Sequence, residues 1–178
     1  MTTGQPPPIV ATPASQYPEL RGRRVIIGVP GIGFRGDLRA DDAVINGSRT
    51  FVPVLSEQDY FRAEIDQVDM FAPLVPIDRV WVEHIAESTI TSEAATVDAP
   101  PARNPTPVSA SRNLVGLRLI QGVPDGYVRN LRAVTNVYQG AQGIDCVRVA
   151  HEPDWYRWAI TGTTPATEET RAAALWVE

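Results

Sequence analysis

The sequence has little of the chemistry from which metal sites and covalent cross-links are built. Its 178 residues include one cysteine, Cys146, and two histidines, His84 and His151. A single cysteine excludes an internal disulfide framework. One cysteine and two histidines are also too few to form a cluster with the spacing of a metal site. The sequence therefore predicts no cofactor, no metal and no catalytic residue.

Long apolar runs and targeting signals are also missing. No run approaches the roughly 18 apolar residues that a membrane-spanning helix needs, so we expect no membrane span. The amino terminus, MTTGQPPPIVATPASQYPEL, has neither a basic start nor an apolar centre, so it does not read as a secretory signal. We therefore expect the protein in the cytoplasm of the producing cell.

Lysine is absent as well, because all 16 basic residues are arginine. The formal charge of −5 argues against a protein whose main task is to neutralise phosphates. Together with the abundance of alanine, proline and valine, the missing lysine indicates the codon bias of a GC-rich genome. We expect an actinobacterium or a phage of such a host, and in the second case the protein would belong to the virion.

What the sequence does contain is a repeated block. The segment VPVLSEQDYFRAEI, residues 52–65, returns as VRVAHEPDWYRWAI, residues 147–160. Glycine- and proline-containing turns and the closing segment VWVE, residues 80–83, also have counterparts in the same order. The residues that coincide at one offset are Val52/Val147, Val54/Val149, Glu57/Glu152, Asp59/Asp154, Arg62/Arg157 and Ile65/Ile160. This pattern predicts an internal duplication.

The repeat sets the expected domain organisation. Residues 1–20 hold five prolines and form an extended arm, and residues 86–112, rich in Pro, Ser, Thr and Ala, form a linker. Residues 21–85 and 113–178 are the two repeats, each with about five short strands, which is typical of a small barrel. Asn46-Gly47 predicts a hairpin with a type I′ turn. Residues 164–174 are compatible with a short helix.

The order of these strands resembles that of SH3-type barrels. A strand is followed by an irregular loop, two hairpins and a proline-containing turn, and the last turn and strand read LVPIDRVWVE. The resemblance implies an all-β fold of two tandem SH3-like barrels. The aromatic set with which SH3 domains bind proline-rich peptides has no counterpart in the pattern, so that activity is not expected.

Alternation along the strands separates a core face from an outward face. In residues 59–65, which we predict as a strand, Phe61 and Ile65 face the core, and in the closing strand Val80 and Val82 do so. Outward aromatic and arginine side chains are typical of protein interfaces. The predicted partner-binding residues are Tyr60, Arg62, Trp81 and Glu83 in the first repeat, and Trp155, Arg157 and Trp176 in the second. Internal contacts of Arg62, or packing of one barrel on the other, are the alternatives.

Three function classes follow from these features. The first is a non-enzymatic structural or adaptor protein that binds other subunits of an assembly, such as a phage head or tail accessory protein. The second is a nucleic-acid-associated module with a basic edge on the first repeat, formed by Arg21, Arg23, Arg24, Arg35, Arg39 and Arg49. A hydrolytic enzyme is third, because Glu57, Asp59 and their copies Glu152 and Asp154 read as solvated strand ends with no nucleophile or metal nearby.

Overall fold

The computed structural model describes residues 4–86 and 98–178, which form two compact units. Of the described residues, 9–86 and 98–102 form the first unit, and 4–8 together with 103–178 form the second unit. Part of the predicted linker, residues 87–97, lies outside the described residues.

The first unit is a seven-stranded antiparallel sheet with one helix. Its spatial order is β1-β7-β2-β3-β5-β4, with β6 paired to β5. The buried core holds Val25, Leu38, Val52, Val54, Val80 and Val82. The elements are β1 (Ile9–Pro13), β2 (Arg24–Val29), β3 (Gly33–Ala40), β4 (Val44–Asn46), β5 (Arg49–Ser56), α1 (Glu57–Asp66), β6 (Leu74–Pro76) and β7 (Val80–Ile85).

The second unit repeats this arrangement. Its strand order is β11-β12-β10-β9-β14-β8, with β13 paired to β12, and its core holds Leu114, Leu119, Leu131, Val147, Val149 and Leu175. The elements are β8 (Thr106–Pro107), β9 (Arg118–Val123), β10 (Gly126–Ala133), β11 (Tyr138–Gln139), β12 (Asp145–His151), α2 (Glu152–Thr161), β13 (Glu168–Arg171) and β14 (Leu175–Val177). Residues 4–86 and 98–178 are thus mostly β, with two curled antiparallel sheets and two short helices.

The strand predicted for residues 59–65 is wrong, because these residues lie in α1. Ser56 caps the helix: its hydroxyl accepts from the Asp59 amide at 3.1 Å and donates to the Asp59 carboxylate at 2.6 Å. Acidic side chains at Glu57 and Asp59 further favour the positive end of the helix dipole. The capping signal therefore outweighs the short alternation of apolar residues that indicated a strand.

The other local predictions have mixed outcomes. The hairpin between β4 and β5 is confirmed, with Asn46 opposite Arg49. Only Gly47 there has a positive φ (64°), so the turn is not type I′, which needs two such residues. The helix considered for residues 164–174 is wrong, since this stretch contains β13 and a 3₁₀ turn over Ala172–Ala174.

Two segments outside the predicted barrels also join the sheets. Residues 9–13 of the predicted arm are extended and pair with β7 as an edge strand. Thr106–Pro107, in the predicted linker, pairs with β14. Each sheet therefore begins with a short strand, one from the predicted arm and one from the predicted linker.

Candidate functional site

The two aromatic residues predicted to face outward from the repeated block lie instead over a glycine turn. Tyr60 on α1 is half-buried, and its hydroxyl oxygen would lie 3.1 Å from a Cβ placed on Gly22. Trp155 on α2 approaches the equivalent position at Gly116 to 3.2 Å. Burial, and then the nearby Glu64 carboxylate, raise the pKa of Tyr60 above its ordinary value.

The arginines of the predicted set are exposed, as expected of surface residues. Arg62 lies on α1 and Arg157 on α2. Arg157 pairs with Asp154 one helical turn earlier, with Nη1 3.1 Å from Oδ1. An exposed pair of this kind contributes little to stability, about 0.3–0.5 kcal/mol.

The closing strands do not present the outward side chains that were predicted. Trp81 is half-buried and meets Phe34 edge-to-face, with ring centroids 5.6 Å apart. Glu83 and Trp176 are buried, with 7% and 5% of each residue exposed. The outward placement of Glu83 and Trp176 is therefore wrong, because alternation identifies two faces of a strand but not whether the second face is covered.

The carboxylate of Glu57 is buried at the start of α1, with 2% of the residue exposed. Its Oε1 accepts a hydrogen bond from Arg39 Nε at 3.1 Å and lies 3.4 Å from Arg24 Nε. Arg39 also donates through Nη1 to the Gly22 carbonyl at 2.6 Å. The prediction of a solvated strand end at Glu57 is wrong, since this carboxylate joins the helix to the sheet and to the glycine turn.

The second unit contains the same arginine–glutamate pair. Glu152 is fully buried and accepts from Arg132 Nε at 3.2 Å, while Arg132 Nη1 donates to the Gly116 carbonyl at 2.7 Å. Arg132 Nη2 donates in addition to the Tyr156 hydroxyl at 2.9 Å. The solvated position predicted for Glu152 is likewise wrong. In both units the guanidinium also lies against an aromatic ring, about 5 Å from its centroid.

The strand register places apolar residues on the outer face of the first unit. Val52 and Val54 of β5 point into the core, so the alternate residues Phe51 and Pro53 point away from it. Residues directly opposite each other on antiparallel strands share a face, which adds three more side chains. The outer face of the first unit therefore consists of Val44, Phe51, Pro53, Leu74 and Pro76.

A cleft of about 300 Å³ adjoins this face. Pro53 belongs to both, and further apolar walls come from Leu55, Ala63, Val68, Met70 and Ala72. Three carboxylates also line the cleft, those of Asp41, Glu64 and Asp69. Arg21 lies within 4.0 Å of Asp41 and Glu64, but all three side chains are more than half exposed.

The loops next to these strands expose further large apolar side chains. Phe71, between α1 and β6, is 91% exposed, and Val68 is 51% exposed. Leu74 of the outer face itself is 51% exposed, and Ile45 in β4, which alternates with Val44 and so points to the other side, is 80% exposed. Side chains of this kind lose favourable burial wherever they face water, at about 25 cal/mol per Å² of apolar surface.

The outer face of the second unit, at the same place in its sheet, is polar. Val147 and Val149 point into the core, so the register places Tyr138, Cys146, Arg148, Glu169 and Arg171 on the opposite side. The Tyr138 hydroxyl donates to Glu169 Oε2 at 2.5 Å, and this hydrogen bond raises the pKa of Tyr138.

The basic edge predicted on the first unit is largely paired within the unit. Arg24 and Arg39 are buried beside Glu57, and Arg21 lies near Asp41 and Glu64. Arg23 donates through Nε to the Glu19 carbonyl at 2.7 Å and stacks on Tyr17. Only Arg35 and Arg49 of the six extend from exposed positions without such a contact in the part of the chain that the structure describes.

Neither helix in residues 4–86 and 98–178 has the length and apolar character needed to cross a membrane. The same residues contain no group of three or more potential ligands that could hold a metal ion. Comparison of the chain with protein-family models, with curated proteins and with solved structures gave no match.

Proposed function

We propose that the protein is a non-enzymatic adaptor that binds another protein subunit through the outer face of the first unit and the cleft beside it. The observation that carries this proposal is the exposure of Phe71 and Val68 next to a continuous apolar sheet face that includes the exposed Leu74. Apolar surface clustered in this way is characteristic of interaction sites, and scattered single residues are not.

The cleft favours a partner segment that combines apolar and basic residues. Its walls include apolar side chains, whereas Asp41, Glu64 and Asp69 provide negative charge that Arg21 only partly balances, because the second arginine of the lining, Arg39, is paired with Glu57. The aliphatic stem of a lysine or arginine would lie along Leu55 and Pro53, with the cation near the carboxylates. Such charge pairs contribute mainly to specificity and to the rate of association.

The two units themselves represent, in this proposal, an internal duplication of one SH3-like barrel. The shared strand order and the shared arginine–glutamate pair support it. After duplication, the first barrel kept or gained an apolar contact surface and the second became polar there.

The setting that we propose is a multi-subunit assembly, in its narrower form a phage head or tail from a GC-rich host. The protein would then be made in the cytoplasm of the producing cell and incorporated into the virion. The arginine-only basic composition supports the choice of host.

Site-specific photo-crosslinking tests the proposal. A photoreactive phenylalanine analogue replaces Phe71 in the full chain, expressed in its native host, and cross-linked proteins are identified by mass spectrometry. We expect one predominant partner, and we expect its yield to fall when Leu74→Glu is introduced into the same chain, because a charge then lies within the apolar face.

The matched control places the same analogue at Val137, which is 37% exposed in the second unit. A predominant adduct at position 71 that is absent at position 137 supports the proposal. Equal adducts at both positions, or no adduct at position 71, contradict it.

A further inference from the structure

The second unit holds residues 4 and 5 at the hydroxyl of Tyr127, whose ring meets a second aromatic ring. Tyr127 on β10 and Trp176 on β14 meet edge-to-face, with ring centroids 6.4 Å apart. The Tyr127 hydroxyl lies 3.3 Å from the Gly4 carbonyl oxygen and 3.4 Å from that of Gln5, so it donates to this stretch of backbone. The Gln5 side-chain amide donates to the Pro105 carbonyl at 3.2 Å. Residues 4–8, which we call the amino-terminal segment, therefore have a defined seat.

The chemistry of this seat suits a stiff, extended segment. Pro6 is buried and is followed by Pro7 and Pro8, whose rings restrict the backbone and lower the entropy that docking costs. The Tyr127 hydroxyl donates to backbone carbonyls, and every copy of the chain has the same carbonyls in this segment. Recognition through the Tyr127 hydroxyl and backbone acceptors needs only one side chain of the segment, that of Gln5.

The connection of the segment to the rest of the chain permits exchange. Gly4 and Tyr127 are 123 positions apart, so only non-covalent contacts keep the segment at the Tyr127 of its own chain, although peptide bonds join it to β1. Pro8 belongs to the second unit, whereas the next residue, Ile9, begins β1 of the first unit. The same segment of a second molecule can therefore make the same contacts with the second unit, as in domain swapping.

We propose that the amino-terminal segment of one copy occupies the Tyr127–Trp176 seat of a second copy when copies are concentrated, and so links them. In dilute solution the chain's own segment occupies the seat, because tethering gives it an effective concentration on the order of millimolar. As the protein concentration approaches that value, a segment from another copy competes on equal terms. This surface lies on the second unit and is independent of the partner site proposed on the first.

Cross-linking between full-length chains tests this exchange. Two variants carry one new cysteine each, Gly4→Cys and Asn104→Cys, both at exposed positions next to the Gln5–Pro105 contact, and Cys146→Ala removes the native thiol from both. The variants are mixed at about 10 μM and at about 1 mM and treated with a short bis-maleimide. A chain that carries both new cysteines serves as the reference for the segment seated on its own chain.

We expect the double variant to cross-link within one chain, and the mixture to give a covalent dimer at 1 mM but little at 10 μM. Tyr127→Phe in the Asn104→Cys chain should lower the dimer yield by about threefold, because the hydrogen bonds to the segment are lost. A double variant that does not cross-link would contradict the seat itself. A double variant that cross-links while the concentrated mixture yields no dimer would contradict the exchange.

Discussion

The two units share their interior and differ on their surface. Both have the same order of strands, and both bury a glutamate at the helix start against an arginine that also binds a glycine carbonyl. Their outer faces differ in kind, since β4, β5 and β6 carry apolar residues where β11, β12 and β13 carry Tyr138, Arg148, Glu169 and Arg171.

This difference shows that the interior and the outer faces are subject to different constraints. A buried carboxylate needs its guanidinium partner wherever it occurs, because an unpaired charge in the interior is very costly. A residue on the outer face affects stability far less, so binding can determine its identity. The shared interior therefore reports on folding, and the divergent faces report on function.

The largest expected effect tests the shared interior. Glu57→Ala and Glu152→Ala should each lower the free energy of unfolding by about 3–5 kcal/mol, because each leaves a buried arginine without its carboxylate. Urea unfolding of the full chain measures the loss, and hydrogen exchange shows which unit opens. The exposed Glu64→Ala should stay within about 0.5 kcal/mol. A loss of stability in only one of the two variants would show that the two buried arginine–glutamate pairs are not equivalent.

A smaller effect is expected at the glycine turns. Gly22 and Gly116 have φ values of 74° and 84°, and a Cβ at either would lie close to the helix aromatic. Gly22→Ala and Gly116→Ala should therefore each cost more than about 1 kcal/mol.

The aromatic residue over each glycine should determine how much of the lost stability a second substitution recovers. Tyr60→Phe removes the hydroxyl that crowds position 22, so it should recover about 0.5 kcal/mol of the Gly22→Ala loss. Trp155→Phe provides the comparison at Gly116→Ala, where the crowding atoms belong to the indole ring itself. A double-mutant cycle measures both couplings, and a zero coupling at Gly22 would refute the contact.

Substitutions on the outer faces should change surface behaviour with almost no change in stability. Leu74→Glu and Phe71→Ser should reduce the binding of a hydrophobic fluorescent dye, whereas Arg171→Leu in the second unit should increase it. The free energy of unfolding should change by less than about 0.5 kcal/mol in each case. A large loss of stability from Phe71→Ser would show that this side chain contributes to the fold and is not reserved for a partner.

The smallest effect is a difference at alkaline pH. The pKa of Tyr60 is raised in the folded protein, first by burial and then by Glu64. The folded state thus holds this proton more tightly than the unfolded state. The resulting contribution to stability is complete below the unfolded pKa of about 10 and is lost as pH rises through the higher folded value.

Tyr60→Phe should accordingly flatten the decline of the free energy of unfolding above about pH 10. Trp155 at the equivalent place carries no titrating group, so Trp155→Phe should leave the decline unchanged. Unfolding measured across this pH range distinguishes the two variants. An unchanged decline in Tyr60→Phe would show that another group causes it.

Much of the interior could be read from the sequence. The alternation of Val80 with Val82 correctly predicted core residues, because a strand in a one-sided sheet must place every second residue inside. The helix was missed, since residues 59–65 alternate briefly. The available signal was Ser56 with Asp59 three residues later, a capping pair.

The candidate site was harder to anticipate. Of the seven predicted partner-binding residues, Arg62 and Arg157 are exposed, whereas Glu83 and Trp176 are buried. The apolar outer face was not predicted. FVPVL, residues 51–55, is apolar on both sides of the strand, and the pattern does not reveal which side is covered. The apolar loop MFAPLVP, residues 70–76, was the clearest neglected signal, since its counterpart in the second repeat is polar.

The sequence by itself determined that this is a mostly β protein with a repeated sequence block and an acidic, lysine-free composition. Those properties depend on local periodicity and residue counts. Only the tertiary structure decided that Glu57 and Glu152 lie buried against arginines, that one outer face is apolar and the other charged, and that Tyr127 binds the backbone of residues 4 and 5. Each of these depends on strands and turns that are distant in sequence, and burial is a property of what lies opposite a side chain rather than of the residue itself.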